Sequence, residues 1–328
     1  MNDKATRTHS AKGLWLVDKS KYAILPENLP DLDKKTEILL KMTASGVSRG
    51  TERLVFNARV PMSEYQRMRA PHQRGDFPYP VQYGYCACAT VLDGPVELIG
   101  KSVFSLHPHQ DFFITDIKNI SLIPPHIPPQ RAILAANMET ALNGLWDSGV
   151  SAGDHVTIVG GGVLGLLLAF LIAQIPATSV TLIDTQDRSR LAQCFGAKFE
   201  QQPHEGLEAD LVFHTSASEA GLQTAIACAG AGSRIMEMSW YGDRETTLSL
   251  GGAFHSKRLQ LISSQVGKIP HHQKERWTYS RRMQKALELL DDVRLDQLLT
   301  HQIPFMEAPS RLPPLLDDPQ ALAITLLY

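Results

Sequence analysis

Between His155 and Ile183 the chain carries no Asp, Glu, Lys or Arg, and three consecutive glycines, Gly160-Gly161-Gly162, interrupt this apolar stretch. Length and hydrophobicity alone would admit a membrane span. The glycines argue against one continuous helix, because each costs about 1 kcal/mol relative to alanine in a helix interior. Val156-Thr157-Ile158-Val159 ahead of them is a β-branched run, and Val163 to Ala173 behind them has the length and leucine content of a buried helix. Pro176 then closes the segment before a second β-run. The pattern predicts strand, glycine turn and helix, with no membrane insertion.

Gly160-Gly161-Gly162-Val163-Leu164-Gly165 fits Gly-x-Gly-x-x-Gly at that strand-to-helix junction. Gly160 permits the tight turn, Gly162 lets backbone approach a pyrophosphate, and Gly165 lets the helix pack closely on the sheet. The helix opening at Val163 and Leu164 presents free N–H groups and the positive end of its dipole to phosphate. Asp184 ends the next β-run, 19 residues after Gly165, where a carboxylate accepts from adenosine ribose hydroxyls. Its charge favours NAD, while Arg188 and Arg190 nearby keep NADP open, either as phosphate partners or as solvated side chains on the following helix.

The 328 residues predict two domains. Residues 13–120 read as short β-runs broken by Gly, Pro and Asp. Four prolines between Leu122 and Pro129 stiffen an expected interdomain connection. Ala132 to Trp146 is helical in composition, after which β-runs alternate with helical stretches as in a doubly wound parallel sheet. After Gly267 come a charged amphipathic helix around Trp277 to Leu290 and a β-like tail ending at Tyr328 that returns to the first domain. The expected division is 1–135 with 269–328 against 136–268. A formal charge of −2 gives no excess for nucleic acid. The polar N-terminus lacks a secretory core, so a cytoplasmic location is expected, with Cys86, Cys88, Cys194 and Cys228 as reduced thiols.

Ser45-Gly46-Val47-Ser48-Arg49-Gly50-Thr51-Glu52, then Gly153 to Val159 leading into the glycine loop, and Ser263-Ser264-Gln265-Val266-Gly267 resemble the medium-chain dehydrogenase/reductase superfamily across nearly the whole chain. The first and last of these are most similar to the group around 2-desacetyl-2-hydroxyethyl bacteriochlorophyllide dehydrogenase. The resemblance implies an α/β protein, with a chaperonin-10-like β domain and a Rossmann domain built on a doubly wound parallel sheet. It implies a nicotinamide-dependent oxidoreductase acting on a small molecule. Arg49 matches a position reaching the cofactor pyrophosphate, Thr140 a nicotinamide-side contact, and Trp240-Tyr241-Gly242 the nicotinamide pocket or its packing. Leu248 and Leu250, on the last strands of the sheet, fit the dimer seam common in the superfamily, so a homodimer is expected.

The zinc alcohol dehydrogenases of that superfamily carry metal ligands where this chain has Ser48, Tyr85-Cys86 after Gly84, and approximately Ala136. Hydroxyls are poor substitutes for thiolate and imidazole, so no zinc is expected. Cys86 and Cys88 read as core thiols sharing one face of a strand, and His107 with His109 as half a site at most. Without a metal, hydrogen-bond donors must polarise the substrate oxygen. Thr51 and Tyr85 are the candidates, with Glu52 orienting them or passing a proton towards solvent. Thr51 as a helix cap and Tyr85 as packing are the structural alternatives. Three functions fit: an alcohol/carbonyl oxidoreductase, a quinone or enone reductase, and a non-catalytic NAD(H)-binding regulatory protein.

Overall fold

The computed structural model describes residues 10–328, and the polar stretch 1–9 that carries the targeting argument lies outside the described residues. The chain begins with β1 (Ser10–Asp18), β2 (Lys21–Asn28), β3 (Glu37–Val47) and helix α1 (Arg49–Phe56). Short strands β4 (Arg74–Gly75) and β5 (Val81–Gln82) lead to β6 (Ala87–Asp93), β7 (Ser102–Ser105), β8 (Phe112–Asp116) and β9 (Ile120–Leu122). Helices α2 (Pro129–Ala132) and α3 (Ala135–Ser148) precede β10 (His155–Val159), α4 (Val163–Ile172), β11 (Ser179–Ile183), α5 (Ser189–Cys194) and β12 (Lys198–Glu200). Then come β13 (Ala209–His214), α6 (Glu219–Cys228), β14 (Ala229–Glu237), β15 (Gln260–Ser263) and α7 (Tyr279–Glu288). The chain ends with β16 (Leu299–Pro304), α8 (Ala308–Asp317) and β17 (Ala323–Leu327).

Two units result. One takes residues up to Ala136 together with Leu299–Tyr328, the other Asn137–Leu298. The expected boundary at 269 therefore differs from the observed one by a whole segment. α7 belongs to the second unit because its Arg282 is buried there, donating to Glu139 Oε1 at 2.9 Å and to the Val266 carbonyl at 2.7 Å. The proline-rich stretch expected between domains lies within the first unit.

In the first unit, β3 alternates so that Ile38, Leu40 and Met42 share a face with Ala87, Ala89 and Val91 of β6, closed by Val103 and Phe113. Leucine-sized side chains buried in this way contribute about 1.5–3 kcal/mol each. β17 pairs antiparallel with β3, Ile324 opposite Val47, and carries β16 on its far edge. The second unit is a six-stranded sheet in the order β12-β11-β10-β13-β14-β15, its strands parallel. Helices cover both faces of such a sheet, which is why β10 is buried at four successive residues. α4 is buried from Gly165 to Ile172, so the apolar segment is a core helix. No helix among the described residues is long and apolar enough to cross a membrane.

Leu248 and Leu250 do not lie on strands as expected. Leu248 packs from an irregular segment against the core of the second unit, and Leu250 opens a π-helical turn and is 51% exposed.

Candidate active site

In the second unit the sharp turn after β10 depends on glycine at two places. Gly160 has φ +117°, with Thr215 and Ser216 crowding the space its Cβ would need, and a Cβ on Gly165 would lie 1.9 Å from the Gly160 carbonyl oxygen. Gly162, the N-cap of α4, opens on free space and no side chain caps that helix. Val163 and Leu164 form its half-buried first turn. Asp184 follows β11 directly and accepts from Gly161 N through Oδ2 and from Gln186 N through Oδ1 at 2.7 Å. A carboxylate has about four acceptor positions, so this one keeps capacity for ribose hydroxyls. Arg188 is buried against Gly161 instead of standing solvated on α5, whereas Arg190 is exposed. Thr140 is half-buried on α3.

In the first unit, α1 starts at Arg49 with Ser48 as N-cap, so Thr51 lies inside the helix and does not cap it. The Ser48 and Thr51 hydroxyls lie near enough to the Tyr85 phenol to favour its ionised form. Desolvation pushes that phenol well above its ordinary range, with the Cys86 thiol adding to the rise and the two hydroxyls opposing it. It therefore stays a neutral hydrogen-bond donor at physiological pH. Arg49 places Nη1 3.5 Å from the Leu316 carbonyl.

Glu52 is 2% exposed. Its Oε1 accepts from Ser48 N at 2.8 Å and its Oε2 meets His109 Nε2 at 3.1 Å. The other ring nitrogen of His109 lies 2.7 Å from Ser45 Oγ, which in turn meets the Tyr328 hydroxyl at 2.9 Å. Glu52 thus meets a chain of polar groups that runs through His109 and Ser45 to the half-buried Tyr328. Gly84, at φ +122°, leaves the space that His109 occupies, since a Cβ there would fall 2.8 Å from Nε2.

His107 and His109 diverge. His107 stacks between Phe113 at 3.9 Å and His72 at 5.4 Å, and its Nδ1 donates to the Pro108 carbonyl. Burial pushes its pKa down to about 3. Cys86 precedes β6 and Cys88 lies within it, both buried, and burial pushes both thiols up. Among the described residues no three His, Cys, Asp or Glu side chains converge as a metal site.

Sequence reasoning named His109 and Tyr241 but not their partners: His109 with Glu52, Ser45 and Tyr328, and, in the sheet unit, His214 with Glu237 and Tyr241. The signal for the second was available: His214 and Glu237 each end a β-run that is otherwise largely apolar.

No family profile matches the chain. An uncharacterised zinc-type alcohol dehydrogenase-like protein of Haemophilus influenzae is 23% identical over 61% of the chain, which spans 59% of that relative's length. The D-guloside 3-dehydrogenase of Escherichia coli is 23% identical over 83% of the chain and 87% of its own length. Among solved structures, a short chain alcohol dehydrogenase of Escherichia coli complexed with NADH superposes with TM-score 0.77 at 15% identity, covering 97% of this chain and 99% of that one.

Proposed function

We propose that this chain, which has the two-unit fold of the medium-chain dehydrogenase/reductases, is an NAD(P)-dependent oxidoreductase that interconverts an alcohol and a carbonyl without zinc. The observation that carries the reading is the start of α1, where Glu52 accepts from Ser48 N at 2.8 Å and Thr51 lies in the first turn, with the Ser48 and Thr51 hydroxyls near enough to the Tyr85 phenol to lower its pKa. Ser48 and Tyr85 stand where the resembling zinc enzymes hold metal. Serine and tyrosine hydroxyls and a buried thiol of raised pKa do not fit a zinc site, which needs deprotonated thiolate, imidazole or carboxylate donors. No step runs through a metal.

The dinucleotide fits the second unit. The uncapped start of α4 and the open space at Gly162 would take the pyrophosphate, and Asp184 would take the ribose hydroxyls. When bound, nicotinamide supplies the hydride chemistry. Asp184 disfavours a 2′-phosphate, so NAD is the assigned cofactor, with Arg188 beside the loop and the exposed Arg190 on the side of NADP.

Tyr85 and Thr51 donate to the substrate oxygen and stabilise the negative charge it gains in the transition state. Glu52, fixed by Ser48 N and His109, positions the helix turn that carries Ser48 and Thr51. The D-guloside 3-dehydrogenase name among the relatives supports a polar hydroxylated substrate over a quinone or enone.

The test is parallel fluorescence titration of metal-assayed protein with NADH and NADPH, followed by a screen of sugars, polyols and ring alcohols with NAD. Selective NADH binding and turnover at substoichiometric zinc is the expected result. Turnover that requires one zinc per chain would overturn the metal-free reading, and NADH binding without turnover of any alcohol or carbonyl would favour the regulatory one.

A further inference from the structure

Two neighbouring strands of the second unit end side by side in acid and base. β13 finishes at His214 and β14 at Glu237, and the parallel register sets these residues directly opposite each other. His214 is fully buried, and both of its ring nitrogens are engaged. Nδ1 lies 2.7 Å from Glu237 Oε2, and Nε2 lies 2.7 Å from Ser216 Oγ. Ser216 itself is exposed.

With Glu237 as a carboxylate, one assignment of the protons lets the hydrogen bonds run in a single direction. Gly221 N donates to Ser218 Oγ at 3.0 Å, and Ser218 Oγ lies 2.9 Å from Ser216 Oγ. The Ser216 hydroxyl can then donate to Nε2 while Nδ1–H donates to Glu237. Ser239 N and the Tyr241 hydroxyl also donate to Glu237, at 2.8 and 3.1 Å. Burial alone would raise this carboxyl, but the bonds from His214 and Ser239 hold it below its ordinary value, as a carboxylate. The tautomer this imposes leaves Nε2 as a base facing a serine hydroxyl, the arrangement that activates serine for acyl transfer.

The turn is built to hold that geometry. Thr215 ties it to the glycine loop, its N donating to the Val159 carbonyl at 2.9 Å and its Oγ1 to the Gly160 carbonyl at 2.8 Å. Ala217, next after Ser216, has φ +50°, a strained conformation for a residue with a Cβ, and the Ser239 hydroxyl accepts from its N–H at 3.0 Å. A Cβ on Gly221 would fall 2.1 Å from Ser216 Oγ and 2.9 Å from His214 Nε2, so glycine there keeps the pair uncrowded. Ser216 lies two residues before the N-cap of α6, a ten-residue helix.

We infer that Ser216, His214 and Glu237 form a nucleophilic triad that hydrolyses short-chain carboxylic esters, an activity separate from hydride transfer and independent of the oxidoreductase reading. Ser216 Oγ bonds to the ester carbonyl carbon as its proton passes to His214 Nε2. The bond to the alkoxy oxygen breaks, and that oxygen takes the proton and leaves as the alcohol. Water then attacks the acyl-serine through the same base, releasing the carboxylic acid and restoring the hydroxyl.

The experiment treats the full chain with an alkyl fluorophosphonate, maps the adduct by peptide mass, and follows p-nitrophenyl acetate hydrolysis in parallel. A single adduct on Ser216 is expected, absent in Ser216→Ala, with labelling and hydrolysis slowed about a hundredfold in Glu237→Gln. Ser216→Ala changes one atom on an exposed turn, and an unchanged unfolding midpoint verifies its fold. No adduct on the unaltered protein, an adduct at another residue, or ester hydrolysis undiminished in Ser216→Ala overturns the inference.

Discussion

His109 and Glu52 meet at 3.1 Å with both side chains no more than 3% exposed. Glu52 is also the acceptor for the backbone N–H of the α1 N-cap, so one carboxylate anchors both the helix start and the buried imidazole. Replacing it with alanine strands two buried polar groups. Glu52→Ala should lower the unfolding free energy by about 3 kcal/mol, and Glu52→Gln, which keeps an acceptor for Ser48 N, by markedly less. Urea denaturation of both variants checks this, and equal losses would contradict it.

If the hydroxyl cluster polarises the substrate oxygen, Tyr85→Phe and Thr51→Val should each reduce kcat by about a hundredfold with little change in KM. Steady-state kinetics on whichever alcohol the screen identifies are the measurement. Unchanged turnover in both variants would remove these residues from the mechanism.

If Asp184 takes the ribose hydroxyls, its charge should separate the two nicotinamide cofactors. Asp184→Asn should weaken NADH binding by about tenfold and narrow or reverse the preference over NADPH. The same variant loses the strong acceptor for Gly161 N, so part of the effect will appear as a looser loop. Titration with both nucleotides distinguishes these contributions, because loop loosening weakens both and charge removal favours only NADPH.

His107 predicts an acid limb in stability. Its folded pKa of about 3 lies below the unfolded value of about 6.5. The unfolded chain therefore binds the extra proton first, and stability present above pH 6.5 falls as the pH drops towards 3, at roughly 1.4 kcal/mol per pH unit at its steepest. His107→Phe keeps a ring for the stack on Phe113 and removes the titration. Denaturation at pH 7, 5.5 and 4.5 should show a shallower loss in the variant, and parallel slopes would exclude His107 as a source.

The doubly wound sheet was legible because its signals are local. The β-branched run, the glycines and the leucine helix follow one another within 20 residues, and Asp184 ends the next strand. The core of the catalytic candidate was less legible, since it is assembled over distance. Thr51 and Glu52 were visible beside Ser48, but His109 reaches Glu52 across 57 residues and Tyr328 reaches Ser45 across 283. No periodicity encodes such pairings. His107 and His109 show the same limit from the other side: two positions apart with a proline between, they serve a stacked ring and a buried carboxylate respectively.

The antiparallel pairing of β17 with β3 sets a timetable for synthesis. Val47 finds its partner at Ile324, so the seven-stranded sheet, whose strand β3 is made early, closes only at the end of synthesis. The segment Asn137–Leu298 is continuous and is complete before β16 and β17 are made, which lets the dinucleotide unit fold as a finished body during translation. Until β17 arrives, β3 exposes an unpaired edge along Ala44 to Val47 beside Ser48 and α1. That edge is a template for unwanted strand pairing, and a nascent chain stalled between residues 298 and 323 should be the form of this protein most dependent on chaperones.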